Sequence, residues 1–109
     1  MHAARDDDVV ALSGLLDGRR AAETRGKLWE LIDRSDGDVV VDLSRVESMD
    51  ATVMSVLAAA AVRLKRGGRR VVLRGCAPGL RRLVAHRGWR RLFVWERVPE
   101  GPSRDAAGM

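Results

Sequence analysis

Only one cysteine, one phenylalanine, two histidines and no tyrosine occur among the 109 residues. A lone cysteine excludes a disulfide framework, and one cysteine with two histidines excludes an ordinary four-ligand structural zinc site. A hydrolytic triad needs a histidine beside a nucleophile. His2 stands in the polar start of the chain and His86 at the end of an expected helix, so neither is placed as a base. No glycine-rich phosphate loop is present, because Gly67-Gly68 follows a helical segment and no Lys-Ser/Thr pair accompanies it. Asp42, Glu47 and Asp50 lack a histidine and share only a loop, which is no metal-binding pattern. The longest apolar run, Val53 to Val62, is broken by Ser55 and is half the roughly 20 residues that a membrane span needs. Asp6-Asp7-Asp8 sits where the apolar part of a signal peptide would lie. What remains is a cytoplasmic binding module of one domain: no enzyme, no cofactor, no metal, no membrane span.

Acidic residues are missing from one half of the chain. Residues 1–50 hold twelve acids and seven bases, whereas residues 51–95 hold no acid and eleven bases. Single-stranded nucleic-acid binding would need such a charge interleaved with stacking aromatics. Here the bases fall at helix ends and in turns, and 18 of the 20 are arginine. The expectation is a solvated or partner-facing basic surface, with no direct nucleic-acid contact.

What is present is an alternation of valine-rich runs and helical periodicity. Val9 to Ser13 predicts a strand ended by Gly14, and Asp17 an N-cap for a helix over 19–34. In that helix Ala22, Leu28, Leu31 and Ile32 share a face with Trp29 at its edge. Ser35-Asp36-Gly37-Asp38 is a turn by composition. Val39 to Leu43 predicts a central strand, buried on both faces. A helix over 52–66 follows, with Val53, Val56, Leu57, Ala60 and Leu64 inward and Gly67-Gly68 as its stop. Arg69 to Arg74 predicts a third strand. Pro78 opens a third helix, with Leu80, Leu83 and Val84 inward and Gly88 after it, and Leu92 to Trp95 predicts a last strand. Strand–helix–strand units in succession demand a mostly parallel α/β sheet, of four to five strands with three to four helices. Residues 1–8 are expected to form a flexible N-terminus and 99–109 a disordered tail, flanking a domain over 9–98.

The chain is organised around the segment between the central strand and the second helix. Ser44 to Thr52 reads as a polar corner that delivers the chain into a helix, whose free N–H groups and partial positive charge then face one spot on the surface. In an open parallel sheet such a corner, at the carboxyl end of a strand, is where binding sites collect. Asp50 is the expected cap. Thr52, at N-cap or N1 with its hydroxyl outward, is a candidate phosphate acceptor, and a phosphate there adds roughly 1.5 to 2 negative charges.

These residues resemble the STAS domain, and within it the anti-sigma factor antagonists. The resemblance covers about residues 9–95. It is carried by Val9 to Asp17, by Val39-Val40-Val41-Asp42-Leu43-Ser44, by Met49-Asp50-Ala51-Thr52, by Gly67 to Leu73 and by Pro78-Gly79-Leu80-Arg81-Arg82-Leu83. It implies a partner-switching protein that binds an anti-sigma factor serine kinase, is released on phosphorylation at the corner and is restored by a PP2C-like phosphatase. The family's corner reads Asp-Ser-Ser/Thr-Gly. Asp50 keeps the first position and Thr52 the acceptor, while Ala51 replaces a serine and Val53 a glycine. The implied partner surface comprises Ser48, Asp50, Ala51, Thr52, Val53, Met54 and Ala58, with Ala61 further along the helix, on a monomer or weak dimer. The alternative within the same resemblance is a STAS subunit docking on the ATPase of a membrane lipid transport complex, without phosphorylation.

Overall fold

In the computed structural model, which describes residues 8–96, the valine-rich runs are strands and the periodic segments between them are helices. The order is β1 (Val9–Leu16), α1 (Ala21–Arg34), β2 (Val39–Met49), α2 (Ala51–Arg66), β3 (Val71–Arg74), α3 (Pro78–His86) and β4 (Phe93–Glu96), with single 3-10 turns at Gly18–Arg20 and Arg90–Leu92. The strands lie side by side as β1-β2-β3-β4, every neighbour pair parallel. The expected α/β architecture is thus observed, with four strands and three helices among the described residues.

Period-two alternation decides which strand residues meet the helices. Val39, Val41 and Leu43 of β2, Val71 and Leu73 of β3 and Phe93 of β4 join Leu28, Leu31 and Ile32 of α1, Val53, Leu57 and Leu64 of α2 and Val84 of α3 in one buried cluster. All three helices therefore pack on one face of the sheet. Val40 and Val72 are register partners on the opposite face and are equally buried. The alanines of α2 serve close packing, since Ala58, Ala60 and Ala61 are buried against the cluster.

The helix ends are closed as their residues dictate. After α2, the Gly68 N–H donates to the Lys65 carbonyl and the Arg69 N–H to that of Leu64, the paired bonds of a Schellman stop, with Gly68 at φ 76° where a side chain would be strained. Gly88 and Trp89 repeat the arrangement on Ala85 and Val84 after α3. Arg69 reaches back to clamp the end of α1, donating to the carbonyls of Ile32, Ser35 and Gly37. The guanidinium groups of Arg25 and Arg63 lie over the Trp29 ring, 4.6 and 5.7 Å from its centroid, and Arg63 also pairs with Asp33 at 2.9 Å.

Several expectations are corrected. β1 runs past Gly14 to Leu16 with two register shifts against β2; Gly14 adopts φ 78° there, and Arg20 donates to the Ser13 carbonyl at 3.0 Å, so the glycine bends the strand without ending it. The residues from Ser44 to Met49, read as a corner, continue β2 beside Ser13 to Leu16. In α1 Thr24 takes the inward position expected of Ala22, which is exposed. In α3 only Val84 is buried, and Leu83 is 52% exposed. Asp8, placed in the flexible start, is buried and accepts a hydrogen bond from the Ser35 hydroxyl at 3.0 Å. The remaining expectations for the two termini fall on residues 1–7 and 97–109, outside the described residues.

Candidate functional site

β1 and β2 stay paired to their ends, Leu16 opposite Met49, so their exits lie side by side at the carboxyl edge of the sheet. The Asp50 N–H donates to the Leu16 carbonyl at 2.9 Å, which ties the two exits together. Asp50 has extended backbone, φ −86° and ψ 173°; its Oδ1 accepts from the Val53 N–H at 3.0 Å and its carbonyl accepts the first helical bond, from Met54. This is the geometry of an N-cap. The corner into α2 is therefore one residue wide.

Thr52 is the second residue of α2 and is exposed. Among the described residues its hydroxyl has no hydrogen-bond partner. Ala51 and Ser48 are exposed beside it, and the Ser55 hydroxyl is occupied by the Ala51 carbonyl at 2.9 Å. The helix N-terminus supplies a field that favours negative charge at this point. The corner is thus chemically suited to accept a phosphate or to meet an acidic group.

Gly18, which sequence reasoning passed over, also belongs here. A Cβ on it would stand 3.7 Å from the Asp50 carboxylate and 4.0 Å from Thr52 Oγ1, so the bare backbone of the 3-10 turn leaves one flank of the hydroxyl open. The available signal was Asp17-Gly18 at the exit of the strand preceding the Asp50 strand, since parallel neighbours end at the same edge.

Not every residue expected on a partner surface is exposed. Ser48, Asp50, Ala51 and Thr52 are. Val53, Met54 and Ala58 are buried, with Val53 wholly so, and Ala61 as well. The reason is the helical period. With Asp50 as cap, the face holding Val53, Leu57, Ala60 and Leu64 turns to the sheet. Met54, Ala58 and Ala61, one position on, are covered in the same cluster. Ser55, Ala59 and Val62 make the outward face instead. Val53, in place of the family's glycine, is accordingly a core residue.

Cys76 lies before α3 at this same edge. Burial pushes its thiol up to about 11, with the Arg81 guanidinium opposing more weakly, the reverse of an activated nucleophile. Among the described residues no cluster of metal-ligating side chains occurs, and no helix is long and apolar enough to cross a membrane.

Comparison with known proteins places this geometry. Two structures of SpoIIAA, the Bacillus cell-fate determinant and anti-sigma factor antagonist, are similar. The unphosphorylated form has TM-score 0.69 and 19% identity over 93% of this chain and 88% of that one; the phosphorylated form has TM-score 0.67 and 19% identity over 91% and 88%. An anti-sigma factor antagonist assigned in Thermotoga maritima aligns with TM-score 0.71 and 18% identity over 94% and 87%. A sulfate transporter family protein from Wolinella succinogenes aligns with TM-score 0.70 and 18% identity over 89% and 83%. At these identities the likeness is one of fold. No curated protein sequence matches the chain. The family model described as "Mlab, STAS domain" matches residues 1–94, and with the parallel sheet, the aspartate-capped helix and the displayed threonine already in place, the chain belongs to that STAS family.

Proposed function

We propose that the protein is an anti-sigma factor antagonist, which binds an anti-sigma factor serine kinase in the cytoplasm and is released by phosphorylation of Thr52. The observation that carries this reading is the display of Thr52: an exposed hydroxyl without an internal partner, at the N-terminus of α2, flanked by the bare Gly18. A phosphate on this oxygen leaves the core untouched and alters only the surface that the partner covers. The likeness to SpoIIAA structures in both phosphorylation states supports it. The partner surface in this reading is Ser48, Asp50, Ala51 and Thr52 with the outward face of α2, and a PP2C-like phosphatase reverses the modification. The protein acts as a ligand for its partners, not as an enzyme.

Incubation with ATP and the kinase encoded nearest to the gene should add the mass of one phosphate, mapped to Thr52. Thr52→Glu should unfold at the same temperature as wild type and bind the kinase more weakly by about 2 kcal/mol or more in calorimetry. Equal affinities would remove the switch. The family description and the transporter neighbour support a second reading, a STAS subunit docking on the ATPase of a membrane lipid transport complex by the same surface. There the chain should co-purify with a transporter ATPase and gain no phosphate.

A further inference from the structure

β2 outruns its neighbour on one side only. β3 pairs with Val39 to Asp42 and no further, then leaves the sheet at Gly75, at φ 70°, while β1 accompanies β2 to Met49. Among the described residues no strand lies along the β3-facing edge of β2 from Leu43 to Met49. Where the pairing breaks, the Asp42 carboxylate accepts the Ser44 N–H at 2.9 Å and the Ser44 hydroxyl at 2.7 Å. Past that point Arg45, Glu47 and Ser48 are exposed.

α3 stands across the gap. Val46, Glu47 and Ser48 form one wall, and Ala77, Gly79, Leu80 and Leu83 the other, of an open groove of about 220 Å³. Its floor is apolar, since Val46 and Leu80 pack against the core, and its lip is the exposed Leu83. The Arg82 guanidinium lies beside Gly79 of the α3 wall, with Nη2 3.8 Å from the place of a Cβ on that glycine, and Arg82 pairs with no acid among the described residues. Ser48 joins the groove to the Asp50 corner, and its register partner Leu15 is 60% exposed.

We infer that this groove takes an extended peptide segment of the protein partner, laid along the open edge of β2, with an apolar side chain on Val46, Leu80 and Leu83 and an acidic one facing Arg82. An unpaired strand edge offers alternating N–H and C=O groups that another extended chain satisfies in full. The charges set the occupant's polarity: Glu47 repels a carboxylate from the β2 wall and Arg82 attracts one to the α3 wall. The inference rests on the proposed protein-binding role but not on phosphorylation.

The test titrates the full ¹⁵N-labelled chain with a short blocked peptide alternating leucine and glutamate, and with its lysine-for-glutamate counterpart. Saturable amide shifts are expected at Val46 to Ser48 and Ala77 to Leu83, with the lysine peptide binding about tenfold more weakly, the effect of one charge-assisted contact. Arg82→Glu should invert that preference and Leu83→Asp should abolish binding. Both sites are exposed, and circular dichroism checks that the variants fold. Absent shifts, shifts elsewhere, or shifts indifferent to Leu83→Asp overturn the inference. So does a sedimenting dimer that Leu83→Asp dissolves, which assigns the groove to a second copy. Thr52→Glu separates the two proposals: unchanged peptide binding with no phosphate ever found on Thr52 sinks the switch alone, whereas a phosphorylated Thr52 with an empty groove sinks this inference alone.

Discussion

Asp50 and Thr52 divide two duties that one serine or threonine often holds together at a helix start. Asp50 satisfies the Val53 N–H, which leaves the Thr52 hydroxyl uncommitted. Asp50→Ala should therefore lower stability by about 1 kcal/mol, the usual cost of losing a cap, while Asp50→Asn should lower it by much less; urea denaturation of the two variants measures the difference. Cys76 shows the opposite kind of placement, a reactive group withheld. With its thiol held at about 11, the native chain should be alkylated by iodoacetamide at pH 8 roughly a hundredfold more slowly than the unfolded chain, in proportion to the thiolate present. Because the native state holds this proton beyond the ordinary value of 9.0, its contribution to stability is intact below pH 9 and is lost as pH rises from there towards 11.

At the scale of elements, the capping and stopping signals were the most legible. Asp50, Gly68, Pro78 and Gly88 each do locally what their side chains, or lack of one, require. Gly26 is an exception that makes a prediction. It sits within α1 with ordinary helical backbone, and nothing lies within 4 Å of the place where a Cβ would stand. Gly26→Ala should stabilise the protein by about 0.5 to 1 kcal/mol, seen as a raised melting temperature. Strand length was less legible. Ser44-Arg45-Val46-Glu47-Ser48 has the composition of a loop, and only the pairing with β1 holds it extended. The inward face of α2 was legible from its period, but its width was not. An alanine-rich helix lets the sheet and α1 approach so closely that Met54, Ala58 and Ala61 are covered too. Leu83 erred the other way: nothing folds over it among the described residues.

At the scale of the molecule, one cluster joins all four strands and all three helices. Unfolding followed by tryptophan fluorescence and by far-ultraviolet circular dichroism should give coincident transitions. Leu57→Ala, at the centre of that cluster, should cost about 2 to 5 kcal/mol, a large part of the stability of a domain this size. The charge is distributed on a larger pattern as well. Lys65 and Arg66 at the end of α2 and Arg90 and Arg91 beside β4 collect near the amino-terminal edge of the strands, away from Thr52, because parallel strands with returning helices send helix ends to that edge.

By itself the sequence determined the class of fold, the order of strands and helices, the cap that starts α2, the glycine stops of α2 and α3, and the position of Thr52 at a helix entrance, because each depends on local chemistry: β-branching, helical period, a carboxylate within reach of an amide. Only the tertiary structure decided which of the corner's residues face a partner, that Gly18 flanks the hydroxyl, and that β2 outlasts β3 to leave a groove beside α3. Those features depend on where separate segments end relative to one another in space, and no single segment carries that information.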